Sequence, residues 1–178
     1  MEERFILKKT LSQIEVDVPY YLIGNVKKSQ VYTLSPFKVV YDSINFYAYN
    51  NPFFVKVIDE NKYQLEFNIT QTGESYLREY KFGEKIHLPV GIFTINKRAH
   101  FDSERFNDHS YHKRDYLIKF NKIASNVEFY RAKLNITQPG KNSSVIVLSV
   151  EEESPQRGVD FLNTLVQVYL DNDVLEKN

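Results

Sequence analysis

The sequence predicts an α+β chain in which a mixed or antiparallel sheet, layered by terminal helices, carries a β-rich, sandwich-like middle region. Near both ends apolar residues recur at three- and four-residue spacing, the period of an amphipathic helix. Between those ends, short runs alternate apolar with polar residues, and glycine, proline, asparagine and aspartate punctuate the runs. The third observation is compositional: thirteen Tyr and thirteen Phe, with no Trp, mark a chain rich in half-buried strands.

Taken in order, Phe5, Leu7, Leu11 and Ile14 predict a helix over residues 2–14, without a capping signal at its start. Val16-Asp17-Val18-Pro19 breaks it. Tyr20 to Ile23 reads as a short strand closed by Gly24-Asn25, and Ser35-Pro36 is the next punctuation. Phe37, Val39 and Tyr41 then alternate with their neighbours, and Phe46 to Tyr49 reads as a further aromatic strand. Phe53 to Ile58 and Tyr63 to Asn68 flank the polar connection Asp59-Glu60-Asn61-Lys62, the clearest hairpin in the chain. Gln71-Thr72-Gly73 and Phe82-Gly83-Glu84 turn the chain around Tyr76 to Tyr80, and Ile86 to Leu88 and Ile92 to Ile95 continue the series. Residues 96–114 are polar and unpatterned, predicting an exposed loop, after which Tyr116, Ile118 and Phe120 resume the alternation.

Ala124, Val127, Phe129, Tyr130 and Leu134 predict another helix, followed by a strand at Leu134 to Thr137 and a Pro139-Gly140 turn. Val145 to Leu148 is an unbroken apolar run, which predicts a central strand buried on both faces. Ser154 and Pro155 supply an N-cap acceptor and a proline suited to the first helical position, so a helix is expected from Pro155. Arg157 stands where a capping box needs Glu or Gln. Val159, Leu162, Leu165, Val166 and Tyr169 define the expected buried stripe, with Arg157, Asp160, Asn163, Gln167 and Asp171 toward solvent. The pattern runs to Asn178 without a glycine stop, so both ends read as cut from something longer.

Lys plus Arg and Asp plus Glu number 23 each, leaving no net field to draw the chain onto nucleic acid or an anionic membrane. Without cysteine there are no disulfides, thiolate metal ligands or cysteine nucleophiles. No apolar run approaches the roughly 18 residues that mark a membrane span, and Met1-Glu2-Glu3-Arg4 does not begin a signal peptide.

The C-terminal order of short helix, strand, Pro-Gly turn, apolar strand, Ser-Pro and long helix carries a family likeness. With the wording Ser144-Val-Ile-Val-Leu-Ser149 and Pro155-Gln-Arg-Gly-Val-Asp-Phe-Leu-Asn-Thr-Leu-Val-Gln-Val-Tyr169, it resembles the polysaccharide co-polymerases, the Wzz/Wzc chain-length determinant and capsular exopolysaccharide tyrosine-kinase family. Leu11-Ser-Gln-Ile-Glu-Val-Asp-Val-Pro-Tyr-Tyr-Leu-Ile-Gly24, Val31-Tyr32 and Ser35-Pro36-Phe37-Lys38-Val39 are similar to the entry into the periplasmic domain of the Wzc-type branch. The likeness spans roughly residues 4–41 and 115–178. It implies an α/β base at 1–41 and 115–178, with 42–114 as an inserted β-rich lobe. It further implies the periplasmic part of a bacterial inner-membrane protein, flanked by membrane segments absent from this sequence. Such a part forms a homo-oligomer, acts in chain-length control or export of capsule or exopolysaccharide, and meets a polymerase, an export channel or the nascent glycan. Some family members carry a cytoplasmic kinase, but the phosphate loop G-x-x-x-x-G-K-[ST] does not occur here. The expected module is therefore non-enzymatic, with no catalytic, cofactor-binding or metal-ligating residue and no cofactor.

Other readings attach to particular residues. His109, His112 and Asp108, with His100 and His87, are a loosely spaced metal-site candidate, against which stands a solvated loop with scattered histidines. Paired carboxylates for glycoside hydrolysis have no recognisable context, and Glu151 to Glu153 reads as a solvated strand end. The sequons at Asn68, Asn135 and Asn142 read as inert in a bacterial protein. The alternative function is a carbohydrate-binding β-sandwich, in which exposed Tyr and Phe stack on sugars. Most of the rings are expected in the core. Lys27 with Lys28, and Lys97 with Arg98, are local basic pairs suited to an acidic polymer.

Overall fold

The computed structural model describes residues 2–24, 26–101, 115–140 and 144–176. Among these it contains four α-helices, a single 3₁₀ turn and eleven strands, and every strand pairing is antiparallel. The predicted α+β class, with terminal helices and a sheet-rich middle, is what the chain adopts. It divides into two compact units, a helical unit of residues 1–17 with 121–178 and a β unit of residues 18–120. The expected division fell at 41/42 and 114/115. The strands at 20–23 and 115–118 instead pair with one another, which places both in the β unit.

The β unit contains a six-stranded and a three-stranded sheet. The first runs in the order β2 (Lys28–Gln30), β1 (Tyr20–Ile23), β9 (Asp115–Ile118), β4 (Phe53–Val57), β5 (Lys62–Ile69), β6 (Glu74–Lys81). The second runs β3 (Phe37–Ile44), β8 (Gly91–Lys97), β7 (Lys85–Leu88). Strict alternation makes the sandwich: Phe53, Val55 and Val57 are buried while Phe54 and Lys56 are exposed, and Tyr63, Leu65, Phe67 and Ile69 repeat the pattern on β5. Rings cross between the inner faces, Phe37 against Tyr116 at 5.3 Å and Phe53 against Phe93 at 6.2 Å. At the β3 edge the Val39 amide donates to the Tyr20 hydroxyl (2.9 Å), so that backbone donor is satisfied without another strand.

Two expectations fail in this unit. Phe46 to Tyr49 is not a strand but part of a short helix, α2 (Phe46–Asn50). Asn45 caps it by accepting from the Tyr47 amide at 3.0 Å while its own amide donates to the Pro89 carbonyl, a helix-start signal that outweighs aromatic β propensity. The polar stretch from residue 96 does not begin as an exposed loop either. β8 extends to Lys97, the Arg98 guanidinium donates to the Ser35 hydroxyl and the Phe37 carbonyl, and Phe101 joins the core.

The helical unit packs α1 (Glu2–Leu11) against α3 (Ile123–Lys133) and α4 (Pro155–Glu176), beside a two-stranded sheet of β10 (Leu134–Thr137) and β11 (Val147–Val150). Its core is Ile6, Leu7, Leu11, Val16, Val127, Tyr130, Phe161, Leu165 and Val168, with the Tyr130 and Phe161 rings 4.3 Å apart. Phe5, expected inward, is exposed. The helix starting at Pro155 forms as predicted: the Ser154 hydroxyl accepts from the Arg157 amide at 3.5 Å, and its carbonyl accepts from the Gly158 amide at 3.1 Å.

The predicted central strand is not central. β11 pairs only with β10, and Val145, Ile146 and Val147 are exposed. Burial on both faces needs strands and layers on either side, and among the described residues β11 has a single ladder, with Val150 packed against the core beside Leu134 of β10.

Candidate functional site

A concave feature of the β unit follows from how its chain changes sheets. β6 ends the six-stranded sheet, the turn Phe82-Gly83-Glu84 reverses direction, and β7 begins the outer edge of the other sheet. At that corner the Phe82 amide donates to the Asn61 carbonyl (2.9 Å) and the Gly83 amide to the Ile95 carbonyl (2.9 Å). Beyond it no ladder joins β6 to β7, and a cleft of about 390 Å³ opens, lined by Tyr76, Arg78 and Tyr80 from β6 and by His87, Leu88 and Pro89.

The tyrosines are held from behind. Tyr76 lies parallel to Phe67, with centroids 4.6 Å apart and planes 5° from each other, and Tyr80 stacks on Tyr63 at 6.0 Å. A parallel stack covers one ring face and leaves the other uncovered. Burial, then the charge and hydrogen bond of Glu74, hold the Tyr76 hydroxyl above its ordinary pKa, so it stays protonated in neutral solution. Tyr63 is likewise pushed up, by burial first and then by the charges of Glu84 and Tyr80. Its hydroxyl is buried without a hydrogen-bond partner among the described residues. The side chains of Arg78 and His87 make no hydrogen bond or ion pair among the described residues; none of the described residues lining the cleft is a carboxylate, and Glu74 meets its edge at the Tyr76 hydroxyl.

A shallower hollow of about 270 Å³ lies on the outer face of the six-stranded sheet, lined by Phe54, Lys56, Gln64, Glu66 and Asp115. Strand register places Tyr21, Leu117, Phe54, Glu66 and Leu77 in one row across it, and Ile23, Asp115, Lys56, Gln64 and Glu79 in the next. Its charges are of both signs, and Phe54 is the one ring among the described residues that line it.

In the helical unit, α4 is apolar on two sides. The buried side is Gly158, Phe161, Leu165 and Val168, together with Arg157. The exposed side carries Val159, Val166, Tyr169, Leu170 and Val174, with Tyr169 60% exposed. Val159, Val166 and Tyr169 were expected against the sheet and Arg157 in solvent; the helix is turned so that the reverse holds. Arg157 is drawn in by Glu152, whose carboxylate accepts from the guanidinium, and the two side chains are 10% and 3% exposed. Glu152 is therefore not a solvated strand end. Glu151 beside it is exposed, and a hydrogen bond from Lys133 (2.9 Å) holds its carboxyl below the usual carboxylate range.

The remaining sequence candidates disperse. His87 lies at the cleft and His100 near the β8 end, whereas Asp108, His109, His112 and Asn142 lie outside the described residues. No group of three potential metal ligands assembles among the described residues. Arg98 is committed to Ser35, Phe37 and the Tyr20 ring, and Lys28 sits 4.6 Å from the Tyr21 ring centroid. Asn68 and Asn135 are exposed on strands. Sequence reasoning missed Arg78, although its place between Tyr76 and Tyr80 at period two was a signal that all three share a sheet face.

No family model matches the chain, and no curated protein matches it. No helix among the described residues is long and apolar enough to cross a membrane.

Proposed function

We propose that the chain is the non-catalytic, oligomer-forming module of a Wzc-like polysaccharide co-polymerase, the periplasmic part of a bacterial inner-membrane protein acting in chain-length control or export of capsule or exopolysaccharide. The observation that carries this reading is the second apolar side of α4. Val159, Val166, Tyr169 and Leu170 recur at helical spacing on solvent, next to a core already filled by the opposite side. Apolar surface arranged as a stripe is what helix pairing between copies uses. In the assembled protein this stripe packs against a second copy, and the module works through subunit contacts.

Light scattering over a rising protein concentration tests this. The expected result is a mass that grows with concentration and returns to that of the monomer in Val166→Glu, a change at an exposed position outside the buried core. A monomeric mass throughout, unchanged by Val166→Glu, overturns the assignment of this face.

The second reading, a carbohydrate-binding β-sandwich, is favoured by one observation, the pair of backed tyrosines in the β6/β7 cleft.

A further inference from the structure

The cleft between β6 and β7 has the composition of a binding site for a particular chemistry. Tyr76 and Tyr80 offer flat apolar faces whose orientation is set by Phe67 and Tyr63 behind them, so little side-chain freedom remains to be lost on binding. A pyranose ring presents axial C–H groups on one face and hydroxyls around its edge, and therefore matches an aromatic face bordered by polar groups. Arg78 lies between the tyrosines in sequence on the same sheet face, and His87 approaches from the other sheet. Among the described residues lining the cleft Arg78 is the one fixed charge, and none of the described carboxylates pairs with it. A guanidinium takes a carboxylate through two parallel N–H···O bonds, a geometry that neither an amide nor a hydroxyl reproduces.

We infer that this cleft binds a carboxylate-bearing sugar, a hexuronic acid unit of an anionic glycan, with its ring on Tyr76 or Tyr80 and its carboxylate on Arg78. The outer-face hollow is the internal contrast: Glu66 and Asp115 there would repel the same ligand, and Phe54 is the only ring among the described residues that line it. At about 390 Å³ the cleft is at the small end of ligand sites, matching one sugar ring held within a longer chain. The site does not depend on assembly of the helical unit, so its test and the light-scattering test fail independently.

Calorimetric titration of the intact chain with a galacturonate trimer, and with the neutral galactose trimer of the same linkage, decides the matter. The acidic trimer is expected to bind, the neutral one at least about tenfold more weakly, as loss of a charge-assisted hydrogen bond dictates. Arg78→Gln keeps a long polar side chain on an exposed strand position and is expected to remove the preference for the acidic trimer. Lys56→Gln, on the outer face, is expected to leave it unchanged. Equal affinity for the two trimers, an equal loss in Lys56→Gln, or no binding of the acidic trimer by the unsubstituted chain overturns the assignment.

Discussion

The two units spend their aromatic residues differently. In the β unit the rings of Tyr20, Phe37, Phe53, Phe67, Phe93, Tyr116 and Phe120 form one interlocked network in the core. In the helical unit the close pair Tyr130 and Phe161 anchors a smaller core, while Phe5, Phe129 and Tyr169 remain on the surface. A sandwich has two broad inner faces and can bury every alternate residue. Three helices and a two-stranded sheet cannot cover both sides of α4 or both faces of β11. The difference teaches where each unit has surface to spare: the β unit keeps an open seam with oriented polar groups, and the helical unit keeps an apolar stripe.

Two glycines sharpen the contrast. Gly91 opens β8 at a φ of +145°, a backbone conformation that side chains rarely adopt, and an added Cβ would lie 2.3 Å from the Ser43 carbonyl oxygen. Gly91→Ala is expected to have the largest effect, a loss of about 3 kcal/mol or more, because it forces the β3–β8 ladder apart. Hydrogen exchange across β3, β7 and β8 reads this out; protection unchanged in those strands would show that the turn can relax.

Next comes the buried pair of the helical unit. Arg157→Ala or Glu152→Ala leaves a charge without its partner and is expected to cost about 3 kcal/mol, whereas Glu152→Leu with Arg157→Met costs much less. Denaturant unfolding of the three variants distinguishes a specific pair from simple packing, for which the double variant would be the worst.

The smallest effect has the opposite sign. Gly158 sits in α4, where an added Cβ would meet Val150 Cγ1 at 3.5 Å and Glu152 Cβ at 3.6 Å, both ordinary contacts. Gly158→Ala is expected to stabilise by roughly 1 kcal/mol through helix propensity alone. A fall in the unfolding midpoint would mean that the approach of β11 to α4 is tighter than those distances.

Much of the layout was legible in order along the chain. Alternation placed β3, β4, β5 and β9, the Asp59 to Lys62 hairpin formed, and Ser154-Pro155 started α4 where capping chemistry requires. These features are local: period, cap and turn residues act within a few positions of one another. What the sequence alone did not determine was phase and neighbourhood. Gly158, Phe161, Leu165 and Val168 on one side of α4 and Val159, Val166 and Tyr169 on the other both have helical spacing, and partners such as Tyr130 and the Glu152 carboxylate decide which side turns inward. The apolar run at Val145 to Leu148 has the composition of a central strand, yet how many strands flank it is a property of the assembled sheet. The cleft likewise exists because β6 and β7 end different sheets and do not pair. Tertiary structure alone decides that, since whether two edges meet depends on how far each sheet extends and not on the residues of either strand.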